Sequence, residues 1–416
     1  MSSESTTRWP RRLARCVNLD DLRGLAARSV PYPIFDHIDG GSDDEVTPSR
    51  NRGAFDRYAL VPRLCTGVEA VDATTSVLGQ PLEWPWFAGP AGGLKYLHRD
   101  GEIGAARAAH QLGTAYAMSG WTNTAPEAIA AAAPQGTSFF QLQPARSREL
   151  MEDGIERAAS LGFDALIITV DNPIHGNRER DARSGFGVPA RFTAHAWASI
   201  LSHPRWCLNV IPMPGFGLYD DYLKQHGHDL TWLANQLVTN ITWDEIRWVR
   251  ERWSGPLAIK GIMAVDDLRR AVACGVDAVV LSNQGGRHFD NSPATLDMLP
   301  DAVAAIGDQA EIILDGGIRR GTDILKALAL GATACSGARP YCYGLAAAGQ
   351  IGAERAMTLL RAEVERTMVF LGTNTLQDLH PGHIRELEAL PRGLLDDTAL
   401  QQTGDAVQPY IATGAG

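Results

Sequence analysis

The sequence predicts an α/β protein built on a (β/α)8 barrel, with an N-terminal helical extension and a long insertion after the fourth strand. Eight short apolar segments between residues 85 and 345 alternate with amphipathic segments of helical periodicity. Several of the apolar segments are rich in β-branched residues and show no polar alternation, which is typical of parallel strands buried on both faces. Eight strand–helix repeats also fit the roughly 250 residues that such a barrel needs.

The predicted elements follow one another along this region. The strands are WFAG (86–89), AYAM (115–118), SFFQL (138–142), ALIITV (165–170), LAIK (257–260), AVVLS (278–282), EIILD (311–315) and TACSG (333–337). The helices are predicted at 101–112, 125–133, 147–161, 243–253, 265–274, 295–306, 321–330 and 341–369. The structural alternative is an open doubly wound sheet, which usually carries a Gly-x-Gly-x-x-Gly turn early in the chain. No such turn occurs there, so the (β/α)8 TIM barrel is favoured.

Three segments lie outside the repeats. We expect residues 1–84 to form an extension that packs on the barrel of residues 85–385, and residues 386–416 to form a C-terminal tail. The insertion, at about 183–242, is rich in Trp, Pro and Gly. Insertions of this length in a barrel usually form a lid or a binding surface, although a packed excursion is the simpler alternative. The apolar content of residues 195–217 also permits contact with a membrane or a partner.

Composition excludes several classes of protein. The net charge is 38 − 48 = −10, and an acidic protein repels the phosphates of nucleic acids. The six cysteines form no Cys-x-x-Cys pair, so neither a disulfide framework nor a metal site is predicted. There is no apolar run of 18 residues and no secretory leader pattern. These features predict a cytoplasmic protein.

Polar residues are concentrated where the predicted strands end, which is where barrel enzymes place their active sites. The strand ends read SGW (119–121), QLQ (141–143), TVDNP (169–173), SNQGGRHFD (282–290), DGGIRRG (315–321) and GARP (337–340). The cations expected to converge there are Lys260, Arg287, Arg319 and Arg339. Their convergence suits an anionic ligand, and Gly316 and Gly317 suit a phosphate cradle. Taken singly, each glycine could only turn a loop and each arginine could only form a surface ion pair.

Seven motifs carry a family resemblance over about residues 20–385. They are FDHIDGGSDDE…NRGAF (35–55), FFQL (139–142), TVDNP…GNRERD (169–181), IKGI (259–262), SNQGGRHFD (282–290), LDGGIRRGTDILKALALGA (314–332) and TMVFLGT (367–373). In these motifs the chain resembles the FMN-dependent 2-hydroxy-acid oxidases and dehydrogenases: glycolate oxidase, lactate oxidase and dehydrogenase, mandelate dehydrogenase and the flavin domain of flavocytochrome b2. RERD and its flanks are most similar to the mandelate and lactate dehydrogenase branches. The resemblance implies a flavoprotein oxidoreductase acting on CH–OH donors, often a homotetramer.

The resemblance also implies which residues contact FMN. They are Gly89, Pro90, Ala91, Ser119, Gln141, Thr169, Lys260, Ser282, Asp315, Gly316, Gly317, Arg319, Ala338 and Arg339. Lys260 matches a lysine beside the flavin N1, where a cation stabilises negative charge on the reduced ring. Ala338 stands where the family usually has glycine, and we expect its methyl group to tighten the turn without abolishing FMN binding.

For the substrate, the resemblance implies a small carboxylate. Arg178 and Arg287 match two arginines that hold this group, and paired guanidinium forks suit a carboxylate better than lysines do. Trp121 matches a residue that often lines the substrate pocket.

The sequence departs from the family at three positions in this pocket. Gln284 occupies the position of the catalytic histidine, and a carboxamide cannot take a proton at neutral pH. Asp171 matches the carboxylate that normally orients that histidine. His37 and Gln143 replace two active-site tyrosines. These changes indicate a site whose chemistry has been altered.

Three histidines are candidates for a substitute base. We favour His37, with His175 as a weaker candidate, and expect His288 to lie behind the pocket wall. Three functions remain open: oxidation of a 2-hydroxy acid or a related α-substituted acid with a relocated base, oxidation of an amine or similar substrate that needs a weaker base, and FMN binding without catalysis. Oxygen, a quinone and a cytochrome are all open as electron acceptors.

Overall fold

The computed structural model describes residues 9–187, 189–211, 215, 217–237 and 240–387. The strands are β1 (Tyr58–Leu60), β2 (Thr75–Val77), β3 (Gln80–Leu82), β4 (Trp86–Ala88), β5 (Tyr116–Met118), β6 (Ser138–Leu142), β7 (Ala165–Thr169), β8 (Leu257–Ile262), β9 (Ala278–Ser282), β10 (Glu311–Asp315), β11 (Ala334–Gly337) and β12 (Ile384–Glu386). The helices are α1 (Arg11–Ala14), α2 (Leu19–Ala27), α3 (Tyr32–Asp39), α4 (Val46–Gly53), α5 (Gly101–Gln111), α6 (Pro126–Ala132), α7 (Arg148–Ser160), α8 (Glu179–Ser184), α9 (Ala194–Leu201), α10 (Pro204–Val210), α11 (Asp220–His226), α12 (Leu230–Gln236), α13 (Trp243–Arg252), α14 (Val265–Ala273), α15 (Thr295–Ile306), α16 (Gly321–Ala329), α17 (Arg339–Ala348) and α18 (Gln350–Leu371).

Strands β4 to β11 form a closed parallel barrel in chain order, and β11 pairs with β4 to complete it. The predicted (β/α)8 fold is therefore confirmed. Side chains of alternate strand residues fill the interior, where Phe87 and Phe139 meet edge to face with centroids 5.4 Å apart. The opposite faces of the strands pack against the surrounding helices in a second, larger apolar cluster. Burial on both faces explains why these strands are apolar without alternation.

A small hairpin closes the amino end of the barrel. Strands β2 and β3 pair antiparallel, and the side chains of Val77, Leu78 and Leu82 join the interior cluster. The backbone N–H of Leu78 donates a 2.8 Å hydrogen bond to Glu311, the first residue of β10. The amino end is thus sealed by apolar side chains, and a ligand can enter the barrel only from the carboxyl ends of the strands.

The structure corrects one prediction at the C-terminal side, that of the last helix. The single helix predicted at 341–369 is two helices, α17 and α18, because Gly349 between them has φ 68°. A Cβ atom there would lie 2.3 Å from a carboxylate oxygen of Asp100, so this turn requires glycine. The predicted tail begins in ordered structure, since β12 pairs antiparallel with β1; residues 388–416 lie outside the described residues.

The N-terminal extension and the insertion contain more helix than their composition suggests. The Pro- and Gly-punctuated stretch after residue 30 forms α3, with Pro31 as its N-cap residue. The described part of the insertion carries α9 to α12. Trp206 of α10 is buried, and its indole N–H donates a 2.8 Å hydrogen bond to the carbonyl of Tyr96 in the loop after β4. The insertion therefore packs over the carboxyl end of the barrel.

Within the described chain, no helix combines the length and the apolar character needed to cross a membrane.

Candidate functional site

A cavity of about 1070 Å³ opens at the carboxyl ends of the barrel strands. Ligand pockets typically measure about 300–1000 Å³, so this one has room for a cofactor together with a substrate. The predicted site residues that line it are His37, Pro90, Ala91, Ser119, Trp121, Gln141, Gln143, Arg178, Lys260, Gln284, Arg287, Asp315, Gly316, Gly317, Arg319, Ala338 and Arg339. The other predicted residues, Gly89, Thr169, Asp171 and Ser282, are bonded to or adjoin members of this lining.

One wall is a row of polar side chains from three neighbouring strands. The amide oxygen of Gln141 accepts a 3.0 Å hydrogen bond from the hydroxyl of Ser119, and its amide nitrogen donates a 2.6 Å bond to the hydroxyl of Thr169. All three residues are buried. Each side chain fixes the orientation of the next, so the row presents a preorganised polar edge to a flat ligand.

Lys260 provides a fixed positive charge at the centre of the barrel mouth. Its ammonium donates a 2.9 Å hydrogen bond to the hydroxyl of Ser282 and lies 3.1 Å from a carboxylate oxygen of Asp315. The pKa of Lys260 is raised: burial lowers it, but the carboxylates of Asp315 and Asp171 outweigh that effect. Lys260 is therefore charged at neutral pH.

Two arginines and a glycine pair form an anion cradle at the end of the barrel. Gly316 and Gly317 have φ 141° and 78°, and a Cβ on Gly317 would lie 2.2 Å from the carbonyl oxygen of Asn51. Among the described residues, Arg339 donates only to backbone carbonyls, those of Ile38, Gly40 and Gly285.

The guanidinium of Arg319, the other arginine of the cradle, has no carboxylate partner among the described residues. Its Nη1 atom donates a 2.8 Å hydrogen bond to the carbonyl of Ile318, and its buried Nε atom has no hydrogen-bond acceptor. Its pKa is lowered by burial. Buried cations in this state are costly unless an anion binds them. The donor set therefore fits the phosphate of FMN.

A second pair of arginines lies near the first. Arg287 donates to the carbonyls of His37 and Gly40, the latter over 3.2 Å. Its pKa is lowered to about 9, mainly by burial and then by the charges of Arg178 and Arg339. Arg178 lies 3.4 Å from Asp181. Four guanidinium groups thus surround one cavity, more than a single phosphate requires, and the excess positive charge suits a second anionic ligand.

Gln284, which stands at the position of the catalytic histidine implied by the resemblance, donates a hydrogen bond to a carboxylate. The amide nitrogen of Gln284 donates a 2.6 Å hydrogen bond to Oδ1 of Asp171. The other oxygen, Oδ2, is buried and has no hydrogen-bond partner in the described chain. Burial raises the pKa of Asp171 to about 6, although Lys260 and Gln284 oppose the shift. A carboxylate can only accept hydrogen bonds, so the amide nitrogen of Gln284 must point toward Asp171. The amide oxygen of Gln284 is then available to a ligand in the cavity.

His37 forms a histidine–carboxylate pair in the same cavity. Nδ1 of His37 lies 2.9 Å from Oδ2 of Asp181, and the imidazole packs against Phe186 with centroids 4.4 Å apart. The pKa of His37 is lowered to about 4, chiefly by burial, with Asp181 opposing the shift and Arg287 adding to it. The imidazole is therefore neutral at pH 7, with Nδ1 bonded and Nε2 available.

The other two candidate histidines also line the cavity, so His288 is not behind its wall as expected. Nδ1 of His288 bonds the carbonyl of Ile174 over 3.1 Å, and burial lowers its pKa to about 4. His175 is exposed, and burial lowers its pKa as well. Neither histidine has a carboxylate partner in the described chain, so His37 alone of the three is oriented by a carboxylate.

Sequence reasoning missed several residues of this site. Asp181 lies three residues after Arg178 at the start of α8, a spacing that places two side chains on one helix face and could have indicated the pair. The carbonyl of Leu237 accepts a 3.3 Å hydrogen bond from the amide nitrogen of Gln143, and no local signal predicts this. Aromatic side chains also line the outer cavity: Tyr96, Phe186, Phe192 and Trp197.

Comparison with known proteins gives consistent matches. The family described as FMN-dependent dehydrogenase matches residues 26–386. The chain is 37% identical to a putative L-lactate dehydrogenase of Mycobacterium tuberculosis, over 91% of this chain and 92% of the relative. It is 38% identical to an L-lactate oxidase of a Nostoc species, over 87% and 96%, and 34% identical to human 2-hydroxyacid oxidase 1, over 90% and 98%.

Solved structures agree with this result. The chain superposes on (S)-mandelate dehydrogenase, described as a monotopic membrane protein, with a TM-score of 0.83 and 31% identity, over 89% of this chain and 100% of the other. It superposes on a mandelate oxidase with a TM-score of 0.74 and 33% identity, over 88% and 97%.

Proposed function

The chain belongs to the FMN-dependent dehydrogenase family, and from this premise we propose that it oxidises a 2-hydroxy acid, or a related α-substituted carboxylate, with a relocated base. FMN is its cofactor, and the reaction of its family is oxidation at a CH–OH carbon. The observation that carries the proposal is the His37–Asp181 pair in the cavity where Gln284 replaces the usual histidine.

The residues of the cavity fit FMN by charge and by hydrogen bonding. Arg319, Arg339 and the glycines Gly316 and Gly317 would hold its phosphate, and the row from Ser119 to Thr169 would hold the ring system. When bound, FMN supplies a hydride acceptor. Lys260 lines the cavity and would stabilise the negative charge of the reduced ring, which would favour the reduced form.

Arg287 and Arg178 would hold the substrate carboxylate. Both line the cavity, and Arg287 has no carboxylate partner in the described chain. Bidentate contacts from two guanidinium groups fix the position of the carboxylate and therefore of C2 beside it. Trp121 lines the cavity and would limit the size of the group on C2.

His37 would take the hydroxyl proton at Nε2. Asp181 bonds Nδ1, which fixes the tautomer and stabilises the imidazolium that forms. The charges of Arg287 and Arg178 help to keep the pKa of His37 low in the free protein. A bound carboxylate offsets these charges, so binding of substrate raises the basicity of His37 at the moment it is needed.

The insertion at 183–242 would act as a lid and docking surface over the barrel of residues 85–385. Trp197, Leu201, Leu208 and Ile211 are all more than half exposed on or beside α9 and α10. We propose that they contact the surface of a membrane, where a quinone would accept the electrons, and that the protein is a cytoplasmic homotetramer attached peripherally. Residues 212–214 and 216 of the predicted contact segment 195–217 lie outside the described residues.

An anaerobic reduction assay tests the proposed function. The FMN-loaded protein is mixed with a panel of 2-hydroxy acids without oxygen, and the visible flavin band is followed. Bleaching by members of the panel is the expected result. Absence of bleaching by every member, with FMN bound and reducible by dithionite, would contradict the proposal.

A further inference from the structure

Two side-chain amides, those of Gln143 and Gln284, line the cavity at positions where, by the resemblance, the relatives have residues of the active site. The amide nitrogen of Gln284 donates to Asp171 and that of Gln143 donates to the carbonyl of Leu237. A carboxylate and a carbonyl only accept hydrogen bonds, so both amides are fixed in orientation. Both residues line the cavity, and neither amide oxygen has a partner among the described residues.

This arrangement offers hydrogen-bond acceptors where its relatives, by the resemblance, have a base and a phenol. A hydroxyl group on C2 carries one hydrogen and can satisfy only one of the two acceptors. An amino group carries two or three hydrogens and can satisfy both. A buried acceptor left without a donor costs free energy, so the pair discriminates between the two groups.

The charge of Asp171 also favours an amino group over a hydroxyl group on C2. The carboxylate of Asp171 lies directly behind Gln284, and its Oδ2 atom is buried without a hydrogen-bond partner. In an enzyme with histidine at this position, an imidazolium would offset that charge. Here the bonded side chain is neutral. Lys260 opposes the rise in the pKa of Asp171 without cancelling it, so a positive charge on the substrate would stabilise this carboxylate further.

Resting on the FMN site and carboxylate clamp of the proposed function, we propose that this pocket oxidises 2-amino acids and prefers them to 2-hydroxy acids. The bound ammonium group first gives one proton to the neutral imidazole of His37. The C2–H bond then breaks, and its electron pair leaves with the hydrogen to FMN, the oxidant. The nitrogen lone pair forms the C=N bond of an iminium ion with two N–H donors. Water then adds at C2 and releases a 2-keto acid and ammonium.

The chemistry of this step explains why no strong base is needed beside C2. A hydroxy acid that loses hydride without losing its proton gives a protonated ketone, which is very acidic, so a base must act in that step. The amine gives a stable iminium ion instead. The amide oxygens of Gln284 and Gln143 accept its two N–H groups, and Asp171 stabilises its charge. These interactions strengthen as the positive charge develops, which is the requirement for catalysis.

Binding of two unreactive ligands tests the preference without turnover. The amino acid 2-amino-2-phenylpropanoate and its hydroxy counterpart 2-hydroxy-2-phenylpropanoate have no hydrogen on C2 to transfer. Each is titrated into FMN-loaded protein while the flavin band is followed. We expect the amino ligand to bind about tenfold or more tightly, since one additional hydrogen bond to a charged group contributes at least this factor.

Variants test whether the two amides cause the preference for the amino ligand. Gln143→Leu and Gln284→Leu are each expected to weaken the amino ligand by about tenfold and the hydroxy ligand by less. Gln309→Leu, an exposed position before β10 at the other end of the barrel, is the matched control. A third measurement uses reactive substrates: phenylglycine should reduce the flavin anaerobically and release one ammonium per flavin reduced.

The outcomes separate the two proposals. If mandelate reduces the flavin while phenylglycine does not, or the hydroxy ligand binds as tightly as the amino ligand, the amino-acid inference is wrong and the proposed function stands. If neither ligand binds and neither substrate reduces bound FMN, the proposed function and the amino-acid inference are both wrong.

Discussion

The side-chain amide of Gln284 donates a 2.6 Å hydrogen bond to the carboxylate of Asp171, in the place where a base would otherwise be oriented. The contact resembles that of a base with its carboxylate, but the amide of Gln284 cannot accept a proton. The carboxylate keeps one oxygen buried and without a hydrogen-bond partner in the described chain. Gln284 itself has φ 49°, a left-handed conformation that the backbone imposes at this turn.

Restoring the base is the most direct test of this relationship. Gln284→His should raise the rate of anaerobic flavin reduction by mandelate by about 10²–10⁴, the usual contribution of a general base, because Asp171 can stabilise the imidazolium. Histidine tolerates the left-handed backbone better than most residues, so the loop should keep its shape. Gln284→Asn, which has an amide and no base, serves as the control. An unchanged rate with mandelate at full FMN occupancy would show that the pocket is shaped for another reaction.

Removing the relocated base should have the opposite effect. His37→Gln is expected to lower the hydroxy-acid reduction rate by about 10²–10⁴, because no other imidazole in the described cavity is oriented by a carboxylate. Asp181→Asn should lower it less, and mainly by shifting its pH dependence, since Asp181 acts through His37. The measurement is the reduction rate from pH 5 to 9, with FMN content as the control for folding. Equal rates in His37→Gln and the wild type would remove His37 from the mechanism.

Stability should fall in mild acid because His37 is buried in its neutral form. Its pKa is about 4 in the folded protein and about 6.5 in an unfolded chain. Between these values the unfolded state binds the proton first, so stability is lost as the pH falls from about 6.5 to 4, by on the order of 1–3 kcal/mol. Asp171 acts in the opposite direction, since its pKa of about 6 in the folded protein makes protonation favour folding below that pH.

Urea unfolding at pH 7 and pH 4.5 measures this linkage. His37→Gln removes one of two buried histidines whose pKa is lowered to about 4, the other being His288, and should make the pH dependence of the unfolding free energy less steep. His203→Gln, a histidine on the insertion that has no carboxylate partner in the described chain, is the matched control. If the dependence is as steep in His37→Gln as in the wild type, other groups govern the acid sensitivity.

Loss of a cradle arginine should weaken FMN binding. Arg319→Gln and Arg339→Gln are each expected to raise the dissociation constant of FMN by about 10–100-fold, since each removes a charge-assisted contact to phosphate. The recovery of FMN fluorescence on release gives this constant. Arg269→Gln, which replaces an exposed arginine paired with Asp266, should leave this constant unchanged. An unchanged constant in both cradle variants would place the phosphate elsewhere.

Membrane contact predicts a loss of vesicle binding on removal of exposed apolar side chains. The double variant Trp197→Ser/Leu208→Ser should reduce cosedimentation with phospholipid vesicles, because these side chains are 51% and 86% exposed on α9 and α10. Leu64→Ser is the control, since Leu64 is 81% exposed on the loop between β1 and β2. Vesicle binding that is absent in the wild type, or equal in all variants, would contradict peripheral attachment.

The sequence alone determined the barrel and the end of it that carries the site. The apolar strand segments show no polar alternation, which indicates burial on both faces. This pattern is local, so it can be recognised in one sequence. Since parallel strands place their carboxyl ends together, the convergence of Lys260, Arg287, Arg319 and Arg339 followed from the order of elements. The resemblance in seven motifs then indicated FMN, in agreement with the family match.

Only the tertiary structure decided how the altered pocket is organised. His37 meets Asp181 across 144 residues of chain, and Gln143 meets the carbonyl of Leu237 across 94. The C-terminal carbonyls of α3 accept hydrogen bonds from Arg287 and Arg339, which lie 250 and 301 residues away from their acceptors His37 and Ile38. Local patterns specify which residues face inward, whereas the partner of a buried polar group depends on how distant segments pack. The acceptor of each amide nitrogen, Leu237 for Gln143 and Asp171 for Gln284, therefore became visible only in the folded protein.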